Sequence, residues 1–122
     1  MPQYMIISYG PAEVPADMEM SPEMIQAIIQ KFNDFTARLQ KAGLSGINKL
    51  VDGSGRVLRS SGNKLVVTDG PFAEAKEVIG GYWIIEAAGY DAAVELARHC
   101  PSLEFGGTVE VREVEDLSAL MA

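Results

Sequence analysis

A single long amphipathic segment is the feature that most constrains how this chain can fold. Ser21-Pro22-Glu23 is typical of a helix start, because serine caps the first turn, proline suits the first helical position and glutamate complements the helix dipole. Gly43 follows at a place where a left-handed cap is common. We therefore predict a helix over residues 21–42. Its apolar stripe consists of Ile25, Ile28, Ile29, Phe32, Phe35 and Leu39.

Short apolar segments around this helix predict β-strands. Two of them, residues 56–60 and 64–68, flank Ser61-Gly62-Asn63, whose residues tolerate the backbone conformation of a tight turn. These two segments are therefore predicted to form a hairpin. The other strands predicted before the second helix cover residues 3–9, 44–51 and 82–87.

A second helix and a last strand complete the pattern. Asp91 is the predicted N-cap of this helix, and Pro101 prevents its continuation. Residues 108–114 alternate, but their valines do not all share one face, which predicts a bulge near Arg112 or fraying at Val114. The apolar stripe of the second helix consists of Ala93, Leu96, Ala97 and Cys100.

This order of elements predicts an α+β fold with both helices on one face of a mainly antiparallel sheet. It fits a ferredoxin-like βαββαβ core with a β-hairpin, about residues 56–69, inserted between the second and third core strands. Both faces of the first strand are apolar, since Tyr4 and Ile6 alternate with Met5 and Ile7. Because the helices cover only one face, we predict a homodimer whose sheets pack face to face.

Composition limits the function classes. The chain has 122 residues, of which 48% are hydrophobic and 22% charged, as expected for one globular domain over residues 1–122. Its 17 acidic and 10 basic residues give a net charge of −7, which disfavours binding to nucleic acid or to a membrane surface. A single cysteine suits a reducing compartment, and no basic residue precedes Lys31 as a secretory signal requires, so we expect a cytoplasmic protein.

One motif resembles that of a known family. The run V-T-D-G-P-F-A-E-A-K-E at residues 67–77, followed by I-G-G-Y at residues 79–82, resembles the signature of the YCII-related family in its DGPF-motif branch. Arg59, shortly before the motif, and V-E-V-R at residues 109–112 are also similar to that branch. The resemblance implies a dimeric α+β barrel of the ferredoxin-like kind in the bacterial cytosol. It also implies a regulatory association, since genes of this branch often neighbour extracytoplasmic-function sigma factors.

Resemblance to the broader YCII group implies a histidine–aspartate pair in a cleft, and most members lack an established reaction. The aspartate corresponds to Asp69. The histidine would fall on the first helix, where this chain has Asn33 and Asp34, and its single histidine is His99. The chain therefore departs from the family's acid–base pair at the histidine position.

Asp69 is the candidate catalytic residue. It follows a predicted strand and precedes Gly70-Pro71, so its carboxylate can accept backbone N–H bonds in an Asx-turn or cap a short helical turn near Phe72. Alternatively, it faces a cleft as a general base whose pKa is set by Arg59 or by burial. The two roles are compatible, because a turn that fixes the backbone also fixes the carboxylate.

Arg59, Tyr82 and Glu77 are the candidate substrate-binding residues. Positions 59 and 66 nearly face each other in the predicted hairpin, so Arg59 is either solvated or directed at an anionic ligand or at Asp69. Tyr82 either packs in the core or forms a pocket wall with its hydroxyl as a polar group. Glu77 lies within the motif and is either a surface or paired carboxylate or part of the site.

No cofactor and no metal are expected, because one histidine and one cysteine offer no ligand spacing. His99 suits the end of the second helix as a surface residue, and Cys100 is predicted to be a buried, inert thiol. The glycine-rich segments lack the strand–loop–helix context of a nucleotide site.

Two hypotheses of different class remain. In the first, a pocket near the motif binds a small anionic or enolic metabolite, and the protein is a cofactor-free lyase or isomerase with Asp69 as general base. In the second, the chain is a non-catalytic ligand-binding or interaction module associated with sigma-factor regulation. The motif alone does not separate them, because a turn and a site require the same residues.

Overall fold

The computed structural model describes residues 1–11, 20–70, 77–118 and 120–121. In these ranges the chain forms a four-stranded sheet, two α-helices and a separate two-stranded hairpin, which confirms the predicted ferredoxin-like α+β fold with an inserted hairpin. In chain order the elements are β1 (Gln3–Pro11), α1 (Pro22–Ala42), β2 (Leu44–Lys49), β3 (Arg56–Ser61), β4 (Lys64–Asp69), β5 (Glu77–Glu86), α2 (Tyr90–Ala97), a 3-10 helix (Pro101–Phe105) and β6 (Thr108–Val114).

The four-stranded sheet has the order β2-β5-β1-β6, and all its neighbouring strands are antiparallel. The predicted bulge near Arg112 is wrong, since β6 pairs with β1 in unbroken register from Gln3–Val114 to Tyr9–Thr108. Register shifts instead lie along β5, one against β2 and one against β1, where Ser8 pairs with Gly81 and Tyr9 with Ile79. Gly80 is therefore the extra residue, and a glycine accommodates the bulge without a side chain to place.

The capping signals of α1 are confirmed. The Ser21 side chain accepts a hydrogen bond from the backbone N–H of Met24 at 3.1 Å, and Gly43, at φ 116°, donates its own N–H to the carbonyl of Leu39. The predicted apolar stripe is covered only along its second half. Phe35 and Leu39 are buried, whereas Ile25 and Ile29 near the helix start are 44% and 46% exposed.

The start of α2 differs from its prediction. Gly89, in extended conformation, is the N-cap, and Asp91 lies in the first turn, where its charge still complements the helix dipole. The carbonyl of Gly89 accepts the N–H of Ala93, so the helix begins two residues earlier than an Asp91 cap would allow. Of the predicted stripe, Ala93, Ala97 and Cys100 are buried and Leu96 is partly buried, with Cys100 just beyond the end of the helix.

The core lies between the helices and one face of the sheet. Tyr4 and Ile6 of β1 and Trp83 and Ile85 of β5 share this face by register. The ring nitrogen of Trp83 donates to the hydroxyl of Thr36 at 3.3 Å, which connects the sheet to α1. The buried apolar cluster comprises Tyr4, Ile6, Phe35, Leu39, Trp83, Ile85, Ala87, Ala93, Ala97 and Cys100. Within the described ranges, neither helix has the length and apolar character that crossing a membrane requires.

Candidate functional site

A cleft of about 620 Å³ lies where the base of the hairpin meets one end of the sheet. Its walls come from four places in the chain, namely residues 9–11, 50–57, 70 and 77–80. Gly70 is the second residue of the D-G-P-F motif, so the cleft adjoins the motif that carries the family resemblance. Residues 71–76 of the motif lie outside the described residues, and so does the predicted turn near Phe72.

Two backbone hydrogen bonds hold the walls of the cleft together. Gly70 donates its N–H to the carbonyl of Gly55 at 2.9 Å, and Leu50 donates to the carbonyl of Gly80 at 2.8 Å. Gly55 adopts a φ of 155°, which a side chain would disfavour. The base of the hairpin is therefore fixed to the loop before it, and that loop is fixed to the β-bulge of β5.

The cleft contains one guanidinium group, which belongs to Arg56. Its Nη1 donates to the carbonyl of Gly55 at 2.7 Å and lies 3.5 Å from Oδ1 of Asp69. The two side chains are cross-strand partners in β3 and β4, but they are 65% and 93% exposed, so water screens their attraction. Within the described ranges, Arg56 is thus a cation at the cleft whose carboxylate partner holds it weakly.

A phenol and two carboxylates complete the polar lining. The Tyr9 hydroxyl donates to Oε1 of Glu110 at 2.8 Å, and this bond raises the pKa of Tyr9 above its ordinary value, so the hydroxyl stays protonated. Oε1 of Glu77 accepts a hydrogen bond from the Thr108 hydroxyl at 3.0 Å. Asp52 lies 3.3 Å from Lys49, which offsets its charge. The cleft therefore offers both donors and acceptors to a small polar molecule.

The predicted site residues do not all meet. Glu77 lines the cleft, and Asp69 lies beside it at the end of β4 with a 93% exposed carboxylate. Arg59 is exposed and pairs with Val66, as predicted, but this places it on the opposite face of the hairpin from Asp69. Tyr82 lies on the sheet face away from the helices, where its hydroxyl accepts from the Asn48 amide at 3.1 Å. The roles proposed for these four residues stay predictions.

Arg56 is the residue that the sequence reasoning missed, although a signal for it was present. A hairpin register that sets position 59 opposite 66 also sets position 56 opposite 69. The turn that sets Arg59 opposite Val66 therefore also predicts Arg56 as the cross-strand partner of Asp69. Tyr9 and the loop of residues 50–55 had no such signal, because they reach the cleft only through the tertiary fold.

A second, shallower groove of about 370 Å³ lies between α2, the 3-10 helix and β6. Tyr90, Val94 and Leu103 make it apolar, and Arg98 is its one charged lining residue. It offers little to hold a polar metabolite. In the part of the chain that the structure describes, no three His, Cys, Asp or Glu side chains converge as metal ligands do.

Comparison with known proteins gives two consistent matches. The family model for the YCII-related domain matches residues 1–118. An uncharacterised protein of Rhizobium meliloti (strain 1021) is 30% identical over 112 residues, which cover 89% of each of the two chains. The finer assignment to the DGPF-motif branch stays a prediction.

Proposed function

The chain belongs to the YCII-related family, and we propose that this member binds a small anionic or enolic metabolite in the cleft at the base of its hairpin. The observation that carries the proposal is Arg56, a basic side chain at a cleft of about 620 Å³ whose ion-pair partner among the described residues is long and exposed. This volume is in the range of small-molecule sites, which run from about 300 to 1,000 Å³.

The polar groups suit such a ligand. A guanidinium binds a carboxylate or enolate through two parallel hydrogen bonds, and a ligand anion can displace the long contact between Arg56 and Asp69. The Tyr9 hydroxyl, whose one proton is donated to Glu110, and the Glu77 carboxylate are acceptors for a ligand hydroxyl. Because Asp52 and Glu77 also line the cleft, the directed hydrogen bonds of the Arg56 guanidinium, and not the net charge of the cleft, would hold an anion here.

Calorimetric titration with malonate and with oxaloacetate, a readily enolised dicarboxylate, tests the proposal. We expect binding to the native chain and a raised thermal midpoint, since a ligand that binds only the folded state stabilises it. Replacement of Arg56 by Gln should weaken binding by about 10- to 100-fold, the usual contribution of a hydrogen bond to a charged group.

Arg59→Gln is the matched control, because it removes the same charge from the same strand on the opposite face. We expect its affinity to be close to that of the native chain. An equal loss in both variants would indicate a general charge effect, and a loss confined to Arg59→Gln would return the site to the residue that the sequence predicted. Absence of binding by either acid at millimolar concentration would contradict the proposal.

The proposal assigns binding, and the general-base role of Asp69 is a separate prediction. A carboxylate that is 93% exposed lacks the water exclusion that strengthens acid–base catalysis. Deuterium incorporation from D₂O into the methyl group of pyruvate, compared between the native chain and Asp69→Asn, measures this role directly. Equal rates would leave the cleft as a binding site without turnover.

We also propose that the open face of the sheet, the face away from the helices, packs against a second copy. Its centre is apolar, as in the core of an interface, and most of its central side chains keep some exposed surface. Sedimentation should show a dimer at micromolar concentration, and Ile84→Lys should shift it to a folded monomer. The central apolar residues are Met5, Ile7, Ile79, Tyr82 and Ile84.

A further inference from the structure

The cleft at the base of the hairpin is larger than the anionic group that Arg56 would hold. Its volume of about 620 Å³ is room for roughly 20 water molecules, since each takes about 30 Å³ of liquid, and a four-carbon acid such as oxaloacetate replaces roughly half of them. Protein sites of this size usually enclose most of the surface of their ligand. The volume therefore favours a ligand that extends well beyond its carboxylate.

Apolar side chains from three parts of the chain line the cleft. Leu50 and Val51 belong to the loop before the hairpin and are 46% and 77% exposed. Val57 of β3 and Val78 of β5 are partly buried. We call these four side chains the apolar wall. Exposed apolar side chains that gather at a groove are typical of a ligand site, because a ligand that covers them releases their water.

The backbone of the loop holds Leu50 in place. Its N–H donates to the carbonyl of Gly80 at 2.8 Å, and its carbonyl accepts a hydrogen bond from Nζ of Lys49 at 3.3 Å. The same Nζ donates to Oδ1 of Asp52 at 3.3 Å, two residues further along the loop. Both polar groups of the Leu50 backbone are therefore bonded, so this part of the apolar wall is largely preformed, as small-molecule sites usually are.

The charged groups of the cleft favour a ligand with one anionic end. Arg56 is the one basic side chain among the described lining residues, whereas Asp52 and Glu77 both contribute carboxylates. A second carboxylate on the ligand would meet these like charges without a second cation to hold it. An uncharged chain avoids this repulsion and can cover the apolar wall.

We propose that the ligand of this cleft is a monocarboxylate with an apolar chain, such as a medium-length 2-oxo acid, whose carboxylate binds Arg56 and whose chain covers the apolar wall. This inference rests on the proposed function and names the substrate class of the same site. Each methylene that leaves water on binding contributes a nearly constant free energy, so affinity should rise with the length of the chain.

Calorimetric titration with pyruvate, 2-oxobutanoate, 2-oxopentanoate and 2-oxohexanoate tests the inference, with malonate and oxaloacetate as reference ligands. The carboxylate and the oxo group are the same throughout the series, and the chain grows by one methylene at a time. We expect the dissociation constant to fall about 3-fold with each methylene, slightly less than full burial would give. 2-Oxohexanoate should therefore bind more tightly than oxaloacetate.

Two matched double variants locate the chain of the ligand. Leu50→Thr/Val51→Thr makes the apolar wall more polar and should reduce the gain to less than about 1.5-fold per methylene. Leu58→Thr/Val67→Thr makes the same replacements at two exposed hairpin residues that do not line the cleft, and it should keep the native gain. Arg56→Gln should weaken the whole series by the same factor, because it removes a contact of the carboxylate only.

The outcomes separate the inference from the proposed function. An unchanged dissociation constant along the series, with binding of oxaloacetate intact, overturns the apolar chain and leaves the anion site standing. Failure of every acid to bind, malonate and oxaloacetate included, contradicts both. An equal gain per methylene in the native chain and in Leu50→Thr/Val51→Thr overturns the role of the apolar wall. If that variant unfolds, the heat capacity change of binding to the native chain decides: it should become more negative with every methylene, and a constant value overturns the inference.

Discussion

The four-stranded sheet and the β3–β4 hairpin are both built from short apolar segments but differ in what covers them. In the sheet, Ile6 and Ile85 have no exposed surface, because α1 and α2 lie over them. In the hairpin, Leu65 is 66% exposed and every residue of β4 is exposed. Short apolar segments therefore specify strands in both regions, while burial depends on a second layer that only the sheet obtains from the described part of its own chain.

The polar contacts of the two regions also differ in burial. The hydroxyls of Ser8 and Ser102 lie 2.5 Å apart in the buried region under the 3-10 helix. The ion pair of the hairpin, Arg56 with Asp69, is long and open to water. We therefore expect substitutions in the sheet to change stability, and substitutions in the hairpin to change binding instead.

The largest effect is expected from a cavity in the core. Leu39→Ala removes a fully buried side chain from a helix in which alanine is otherwise favourable, and should lower the free energy of unfolding by about 3 kcal/mol. Leu65→Ala should lower it by less than about 1 kcal/mol for the monomer. Urea unfolding followed by the fluorescence of the single tryptophan, Trp83, at several protein concentrations measures both.

An equal cost for the two alanine substitutions would contradict the distinction between the regions. It would mean that the side chain of Leu65 is covered within the monomer. The concentration series matters here, because a dimer contributes stability that depends on protein concentration.

A tight backbone approach at the start of β6 gives the second effect. A Cβ on Gly107 would lie 2.6 Å from the carbonyl oxygen of Tyr9 and 2.9 Å from that of Ser102. Gly107→Ala should therefore lower the free energy of unfolding by about 1–3 kcal/mol. Gly89→Ala is the control, since no atom lies within 4 Å of its Cβ position and its φ of −177° suits any residue. Thermal unfolding with equal midpoints for both variants would contradict the close approach.

The secondary structure was predictable because its signals are local. The caps of α1 depend on Ser21 and Gly43, and the hairpin turn depends on Gly62, which adopts a φ of 62° at the first turn position. The N-cap of α2 was misplaced because Gly89 has no side chain to reveal it, and Asp91 is a strong cap signal that serves the helix dipole instead.

The cleft was less predictable because its walls are distant in sequence. Tyr9 and Glu77 share the end of the sheet with the loop of residues 50–55 only after β1, β2 and β5 have paired. The motif placed the site near Gly70, which the cleft includes. The motif did not indicate which arginine faces the cleft. Successive side chains of a strand point to opposite faces, so the answer depends on the face on which each arginine lies.

A pH effect of intermediate size is expected from Cys100. Burial raises the pKa of its thiol from an ordinary value of 9.0, so above pH 9 the unfolded chain ionises first and the free energy of unfolding falls as the pH rises. Cys100→Ala should be less stable overall but should show a shallower decline between pH 9 and 10. Tyr4 and Tyr9, whose pKa values are also raised, add to the decline above pH 10. Parallel pH profiles for the two chains would contradict a protonated buried thiol.

The smallest effect concerns Asp69 and tests whether its carboxylate caps the turn of the motif or only contacts Arg56. Asp69→Asn removes the charge but keeps a side-chain oxygen that can accept backbone N–H bonds, so it should change the free energy of unfolding by less than about 1 kcal/mol, as exposed ion pairs usually do. Asp52→Asn, which removes an exposed carboxylate from the lining of the cleft, should change the free energy of unfolding by a similarly small amount. Asp69→Ala removes the acceptor as well. If the carboxylate fixes the turn of the motif, Asp69→Ala should lower the free energy of unfolding by about 1 kcal/mol more than Asp69→Asn does, as measured by urea unfolding. Equal losses in the two variants would exclude a capping role. The contact with Arg56 at the cleft would then be the remaining role of Asp69.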